Sequence, residues 1–202
     1  DRFVEAVIFR YGSKHNLWEN ESAERVAVHY QIPFRLFDLT SIIGNFKSNL
    51  LSRGEDIPEG HYEEDSMKKT VVPARNIIFA SVMAGIAMSE GFSEIWMGVH
   101  AGDHFIYPDC RPEFIRPMAE AVEKGTDNSV HLHAPFLFLK KKNILERGLS
   151  LKVPYHLTRT CYKNQAVACG CCGSCQERLE AFLLNGVYDP LEYESREIIT
   201  KT

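Results

Sequence analysis

The cysteines near the C-terminus constrain this chain more than any other feature. Cys161, Cys169, Cys172 and Cys175 follow one another in the spacing C-x7-C-x2-C-x2-C. Each two-residue interval is a knuckle that lets consecutive thiolates turn onto one ion, and the longer excursion after Cys161 supplies the fourth corner of a tetrahedron. The spacing predicts a zinc ion in a closed four-thiolate set, which staples backbone and adds folding energy without taking part in chemistry. An iron–sulfur centre, two disulfides or four unpaired buried thiols are the alternatives. Cys171, directly before Cys172, faces away from such an ion, and Cys110 reads as a small buried residue.

A chain of 202 residues, 45% hydrophobic and 25% charged, buries one sizeable core with a small appendage, not two full domains. No run of about 18 apolar residues and no secretory h-region is present, so neither a membrane span nor export is expected. A thiolate cluster fits a reducing, cytoplasmic setting. The net charge of −4 argues against a broad nucleic-acid surface and favours small substrates, although Lys140, Lys141 and Lys142 form a local patch suited to phosphate.

Hydrophobic periodicity alternates strands and helices. Strands are expected at 4–9, 34–39, 94–99 (buried on both faces) and 130–134. Helices are expected at 22–30, 40–51, 75–89, 111–123 and 140–148. Residues 53–69, rich in Gly, Pro, Asp and Glu, read as a long surface excursion. This alternation predicts an α/β fold with an open, mostly parallel, doubly wound sheet. Residues 1–154 would form a nucleotide-binding domain, and residues 155–202 a zinc-binding C-terminal segment.

Ligands of such a sheet sit at the carboxyl ends of its strands. In Val-Pro-Ala-Arg-Asn (72–76), Pro73 and the start of a helix place Arg75 and Asn76 in an anion-favouring first turn; an ordinary helix start with a solvated arginine has the same pattern. In Gly-Val-His-Ala-Gly-Asp (98–103) a strand runs into a glycine-containing turn with Asp103 at its lip. Tyr-Pro-Asp-Cys-Arg-Pro-Glu-Phe (107–114) crowds Asp109, Arg111 and Glu113 ahead of a helix, the signature equally of a cap. His100 and His104 adjoin this cleft with a spacing that suits a metal only on a helix. His15 follows the first strand, lining the same mouth or facing solvent.

Taken in order, Tyr-Gly-x-x-His, Val-Pro-x-Arg-Asn, Gly-Val-x-x-x-Asp-x-x-x-Tyr-Pro-Asp-Cys-Arg-x-Glu-Phe and the Thr-Cys-Tyr that opens the four-cysteine site resemble the 7-cyano-7-deazaguanine synthase family of the queuosine pathway. The resemblance implies an adenine-nucleotide alpha-hydrolase-like fold, similar to the N-type ATP pyrophosphatases, and a homodimer. It also implies a reaction that turns the carboxylate of 7-carboxy-7-deazaguanine into a nitrile with ammonia, ATP and magnesium. Under it, Arg75, Lys141 and Asp103 become catalytic candidates, Arg75, Asn76 and Gly98 contact the nucleotide, and Asp103, Tyr107, Asp109 and Arg111 contact the deazaguanine. Asp109, ahead of Asp103, is the carboxylate expected to accept the paired N–H donors of the base.

Two departures qualify the resemblance. The family's Ser-Gly-Gly-x-Asp-Ser loop is expected upstream of Asp1, within a missing strand, loop and helix of about 25 residues. His-Ala-Gly-Asp-His-Phe-Ile at 100–106 replaces a Cys-Glu-Thr-Asp-Phe-Ser-Gly run, leaving only Asp103 in common. A related amide-forming or conjugating ligase, or a silent binding protein without the phosphate loop, are the other functions compatible with the chain.

Overall fold

The computed structural model describes residues 4–200. They form two compact units, one from Ala74–Ile144 and the other from the described residues on either side of it, 4–73 and 145–200.

In the flanking unit, β1 (Ala6–Arg10) and β2 (Phe34–Asp38) pair in parallel from Ala6↔Phe34 to Arg10↔Asp38. Parallel neighbours need a crossover, which α1 (Asn16–His29) supplies. This helix starts six residues before the expected 22–30. Asn16 Oδ1 accepts the backbone N–H groups of Tyr11 and Ser13 at 3.0 and 2.9 Å, drawing the chain into its first turn. Hydrophobic periodicity misses that turn because its inward positions are Asn16 and Asn20.

The helix expected at 40–51 is only four residues long, α2 (Thr40–Ile43). Gly44 ends it, and the Asn45 amide donates to the Ser41 carbonyl at 2.7 Å. Nor is 53–69 a surface excursion. Ile57 and Met67 are buried, a 3-10 turn covers Asp65–Thr70, and Gly60 N–H donates to the Cys171 carbonyl at 3.0 Å. Later in the chain come α5 (Lys141–Ser150) and α6 (Gly173–Leu184), the second of which periodicity does not reveal. Leu145 packs on Ala181 and Phe182.

A tail then returns over α6. Buried Arg178 grips Asp189 through Nε at 2.6 Å and Nη2 at 2.8 Å, and also donates to Thr158 Oγ1 and the Tyr155 carbonyl. Asp189 accepts further from Tyr193 OH at 2.8 Å and Leu191 N–H at 3.1 Å. The charges are buried but hydrogen-bonded on both sides, the condition under which such a pair is tolerated.

In the middle unit, α3 (Arg75–Glu90) lays Ala80, Ala84 and Ala87 on Ile95 and Val99, small residues that let helix and strand approach closely. β3 (Glu94–Trp96) pairs in parallel with β4 (His131–His133), Glu94 opposite His131. α4 (Pro112–Gly125) closes the core with Ile115 and Val122. β3 is not covered on both faces, because Trp96 is 55% exposed. The parallel pairing expected of the sheet therefore recurs in both units, as two-stranded pieces among the described residues. No described helix is long and apolar enough to cross a membrane.

Ala74 precedes α3 with φ 55°, a left-handed conformation, and offers no side-chain cap. A Cβ there costs about 1–2 kcal/mol, and removing it returns about 0.4–1 kcal/mol of that as unfolded-state entropy. Ala74→Gly is therefore expected to raise stability by about 0.5–1 kcal/mol, read as a higher urea midpoint at constant slope.

Candidate functional site

The four cysteines converge as their spacing requires. Cys161, Cys169, Cys172 and Cys175 are buried and their sulfurs all lie within 4.8 Å of one another, with Cys161 to Cys169 at 3.6 Å and Cys169 to Cys175 at 3.9 Å. Sulfurs about 2.3 Å from a common ion in a tetrahedron stand about 3.8 Å apart, so the cavity fits one metal ion. Backbone N–H groups of Cys169 and Cys172 point at Cys161 Sγ and Cys169 Sγ, both at 3.4 Å, as outer partners that steer the thiolates. The turn needs glycine at 170, where φ is 77° and a Cβ would lie 1.7 Å from the Ser195 carbonyl oxygen. Hydrogen bonds from Cys161, Cys172 and Cys175 hold the Cys169 thiol far below its usual range, while hydrogen bonding to Cys161 and Cys169 pushes Cys175 up. Four sulfurs sharing protons in this way are a ligand set that a cation completes by displacing them.

Cys171 stands outside the set, as expected. Lys163 Nζ reaches its sulfur at 3.6 Å and is paired with Glu59. Burial first, and hydrogen bonding to Glu59 and Cys169 after it, push the Cys171 thiol up to about 12.

The non-cysteine candidates other than His15 fall in the middle unit. Arg75 and Asn76 open α3. Asn76 N–H donates to Asp109 Oδ2 at 3.0 Å, and its amide donates to the Asp109 carbonyl at 3.1 Å and to Cys110 Sγ at 3.3 Å. Asp103 lies in the 3-10 turn Ala101–Phe105, its carbonyl accepting Tyr107 N–H at 2.9 Å. Arg111 braces that turn, donating to the carbonyls of His104 at 2.7 Å and Phe105 at 3.4 Å.

Buried Cys110 records the charges around it. Burial first, then Asp103 and Asp109, push its thiol up, and Arg75 pulls it back. Asn76 touches this sulfur, and the charges of Asp103, Asp109 and Arg75 act on it. Ala101 N–H donates to the Leu139 carbonyl at 2.9 Å, which brings the start of α5, with half-buried Lys141, toward the same turn. Gly98 is exposed, with open space where a Cβ would sit.

His100 and His15 have partners close by in the chain. His100 Nδ1 accepts Gly102 N–H at 3.1 Å, and its Nε2 lies 3.4 Å from Asp103. His15 is buried, 3.2 Å from Glu19, rather than facing solvent. Sequence reasoning missed the bracket joining Asn76 to Asp109 and Cys110; its one local signal is a polar residue in the first turn of an otherwise apolar helix.

Comparison with known proteins gives this geometry its context. The family model described as queuosine biosynthesis protein QueC matches residues 2–186. A 7-cyano-7-deazaguanine synthase of Porphyromonas gingivalis is 48% identical over 189 residues, 94% of this chain and 86% of that protein. Enzymes of the same name from Marinobacter nauticus and Caldicellulosiruptor bescii are 45% and 44% identical over 191 residues, 95% of this chain and 86% of each relative. The chain belongs to the queuosine biosynthesis protein QueC family.

Proposed function

We propose that the protein is an ATP-dependent ligase that converts 7-carboxy-7-deazaguanine and ammonia into 7-cyano-7-deazaguanine. The observation that carries this reading is the match to synthases of that name along 95% of the chain. A carboxylate is a poor electrophile. Transfer of AMP from ATP makes it an acyl adenylate, with pyrophosphate leaving; ammonia then displaces AMP and gives the amide. A second adenylation, on the amide oxygen, lets that oxygen leave with AMP as the C–N triple bond forms. Negative charge builds on phosphate and acyl oxygen in both halves.

Arg75, at the amino end of α3, and Lys141, at the start of α5, are the cations assigned to that charge. Open space beside Gly98 admits the nucleotide, with the magnesium that accompanies it. Of the two carboxylates proposed for the paired donors of the base, Asp109 has one oxygen on Asn76 N–H and Asp103 has one 3.4 Å from His100 Nε2. Arg111 holds the turn that presents Asp103, and Tyr107 closes that turn. The four cysteines would hold zinc, the ion that favours a closed tetrahedron of thiolates, and this zinc would stabilise the fold. A cytoplasmic homodimer completes the reading.

Product mass after incubation with the acid, ATP and ammonia tests it. The nitrile is the expected product; accumulation of amide alone would point to the amide-forming ligase, and no ATP-dependent turnover would overturn both. Arg75→Ala is expected to depress turnover about 10²- to 10³-fold, the usual effect of removing a charge-stabilising donor, with an unchanged melting temperature. Full activity in that variant would return Arg75 to an ordinary solvated helix start.

A further inference from the structure

Asp109 lies in the 3-10 turn Pro108–Cys110, three residues ahead of α4, yet its side chain serves another helix. Its Oδ2 accepts the backbone N–H of Asn76, 33 residues earlier in the chain, at 3.0 Å. Asn76 returns the contact through its amide, to the Asp109 carbonyl at 3.1 Å and to Cys110 Sγ at 3.3 Å. Asn76 and Cys110 are 5% and 2% exposed, so this bracket is shielded from water and geometrically firm. On the other side of Arg75, Ala74 sits at φ 55° with no side-chain cap. The peptide carrying Arg75 therefore lies between a left-handed entry and a turn bracketed by contacts from the 107–110 segment.

We infer that Asp109 and Asn76 are positioning residues for Arg75, fixing the first turn of α3 so that the guanidinium meets the reacting anion. This rests on the reading of Arg75 given above. A capping role alone would require only that α3 keep its stability. Here the capped N–H is that of the residue immediately after Arg75, and strain immediately before it leaves the arginine's backbone direction dependent on the bracket. Binding groups placed 1 Å from their productive position lose about 10²-fold in rate, so release of the bracket should be read in turnover.

The experiment compares Arg75→Ala, Asp109→Ala, Asp109→Asn and the double Arg75→Ala/Asp109→Ala variant. It measures kcat, KM for 7-carboxy-7-deazaguanine and melting temperature. Asp109→Ala is expected to lower kcat about 10²-fold with KM for the acid unchanged. Asparagine retains an oxygen that can accept Asn76 N–H, so Asp109→Asn should recover about tenfold of that loss. The double variant should be no slower than Arg75→Ala, because both changes remove one function.

A raised KM for the acid in Asp109→Asn would overturn the inference by making Asp109 a direct contact of the base, and this variant keeps the test open where Asp109→Ala does not fold. Wild-type kcat in Asp109→Ala, or additive losses in the double variant, would overturn it too. Full activity in Arg75→Ala would instead remove the anion-binding reading beneath it.

Discussion

Cys169→Ser is expected to strip the metal from the protein and to leave it largely unfolded at 37 °C. Serine matches the side-chain size but its hydroxyl does not ionise, so three thiolates remain around a site built for four. Structural zinc contributes about 10–16 kcal/mol in small zinc-binding peptides, whereas a whole domain is stable by about 5–15 kcal/mol. Cys169 is also the sulfur on which the others converge, 3.6 Å from Cys161 and 3.9 Å from Cys175. Cys171→Ser is the matched control, and it should keep its metal because that thiol lies outside the cluster. Elemental analysis with thermal unfolding reads both variants. Full metal content in Cys169→Ser, or iron with sulfide in the wild type, would defeat the four-thiolate zinc reading.

Asp189→Ala should be the most damaging change away from the metal. It leaves the Arg178 guanidinium, 4% exposed, without its partner, and breaking such a pair by removing one side typically costs about 3–5 kcal/mol. Urea denaturation measures the loss, and a change below about 1 kcal/mol would mean that water reaches the arginine. The wild-type pair also has a pH signature. Burial pushes the Asp189 carboxyl up, but hydrogen bonding and charge from Arg178 outweigh it and hold the group below its ordinary value. A lowered folded pKa stabilises above the ordinary carboxylate range of about 4 and is lost as pH falls through the lowered value. Acid unfolding of the wild type should therefore include a component that Asp189→Ala lacks.

What the sequence discloses depends on how far apart the interacting residues lie. β1, β2, α3 and α4 emerge from apolar periodicity because each buries a face of its own residues. The start of α1 and all of α6 do not. α1 turns Asn16 and Asn20 inward, and α6 buries Gln176, Glu177 and Arg178 along with its apolar residues, so neither shows the contrast that periodicity detects. The four clustered cysteines are legible to the residue, since knuckle spacing encodes local geometry. Asp109 is the instructive opposite. Its neighbours Arg111 and Pro112 make it look like a cap for α4, but its oxygen goes to α3, 33 residues away. Only the tertiary structure could reveal that partner.

The division of the chain into a middle unit and a flanking one bears on the order in which the protein can be completed during synthesis. Tyr62 OH reaches Glu180 at 2.6 Å across 118 residues of sequence, and Lys163 reaches Glu59 across 104. Residues 4–73 therefore leave the ribosome long before the partners that close their unit exist, and such distant contacts form slowly. The middle unit, by contrast, is contiguous in sequence from Ala74 to Ile144. The four clustered cysteines arrive after it, so the segment made first belongs to the unit that is finished last.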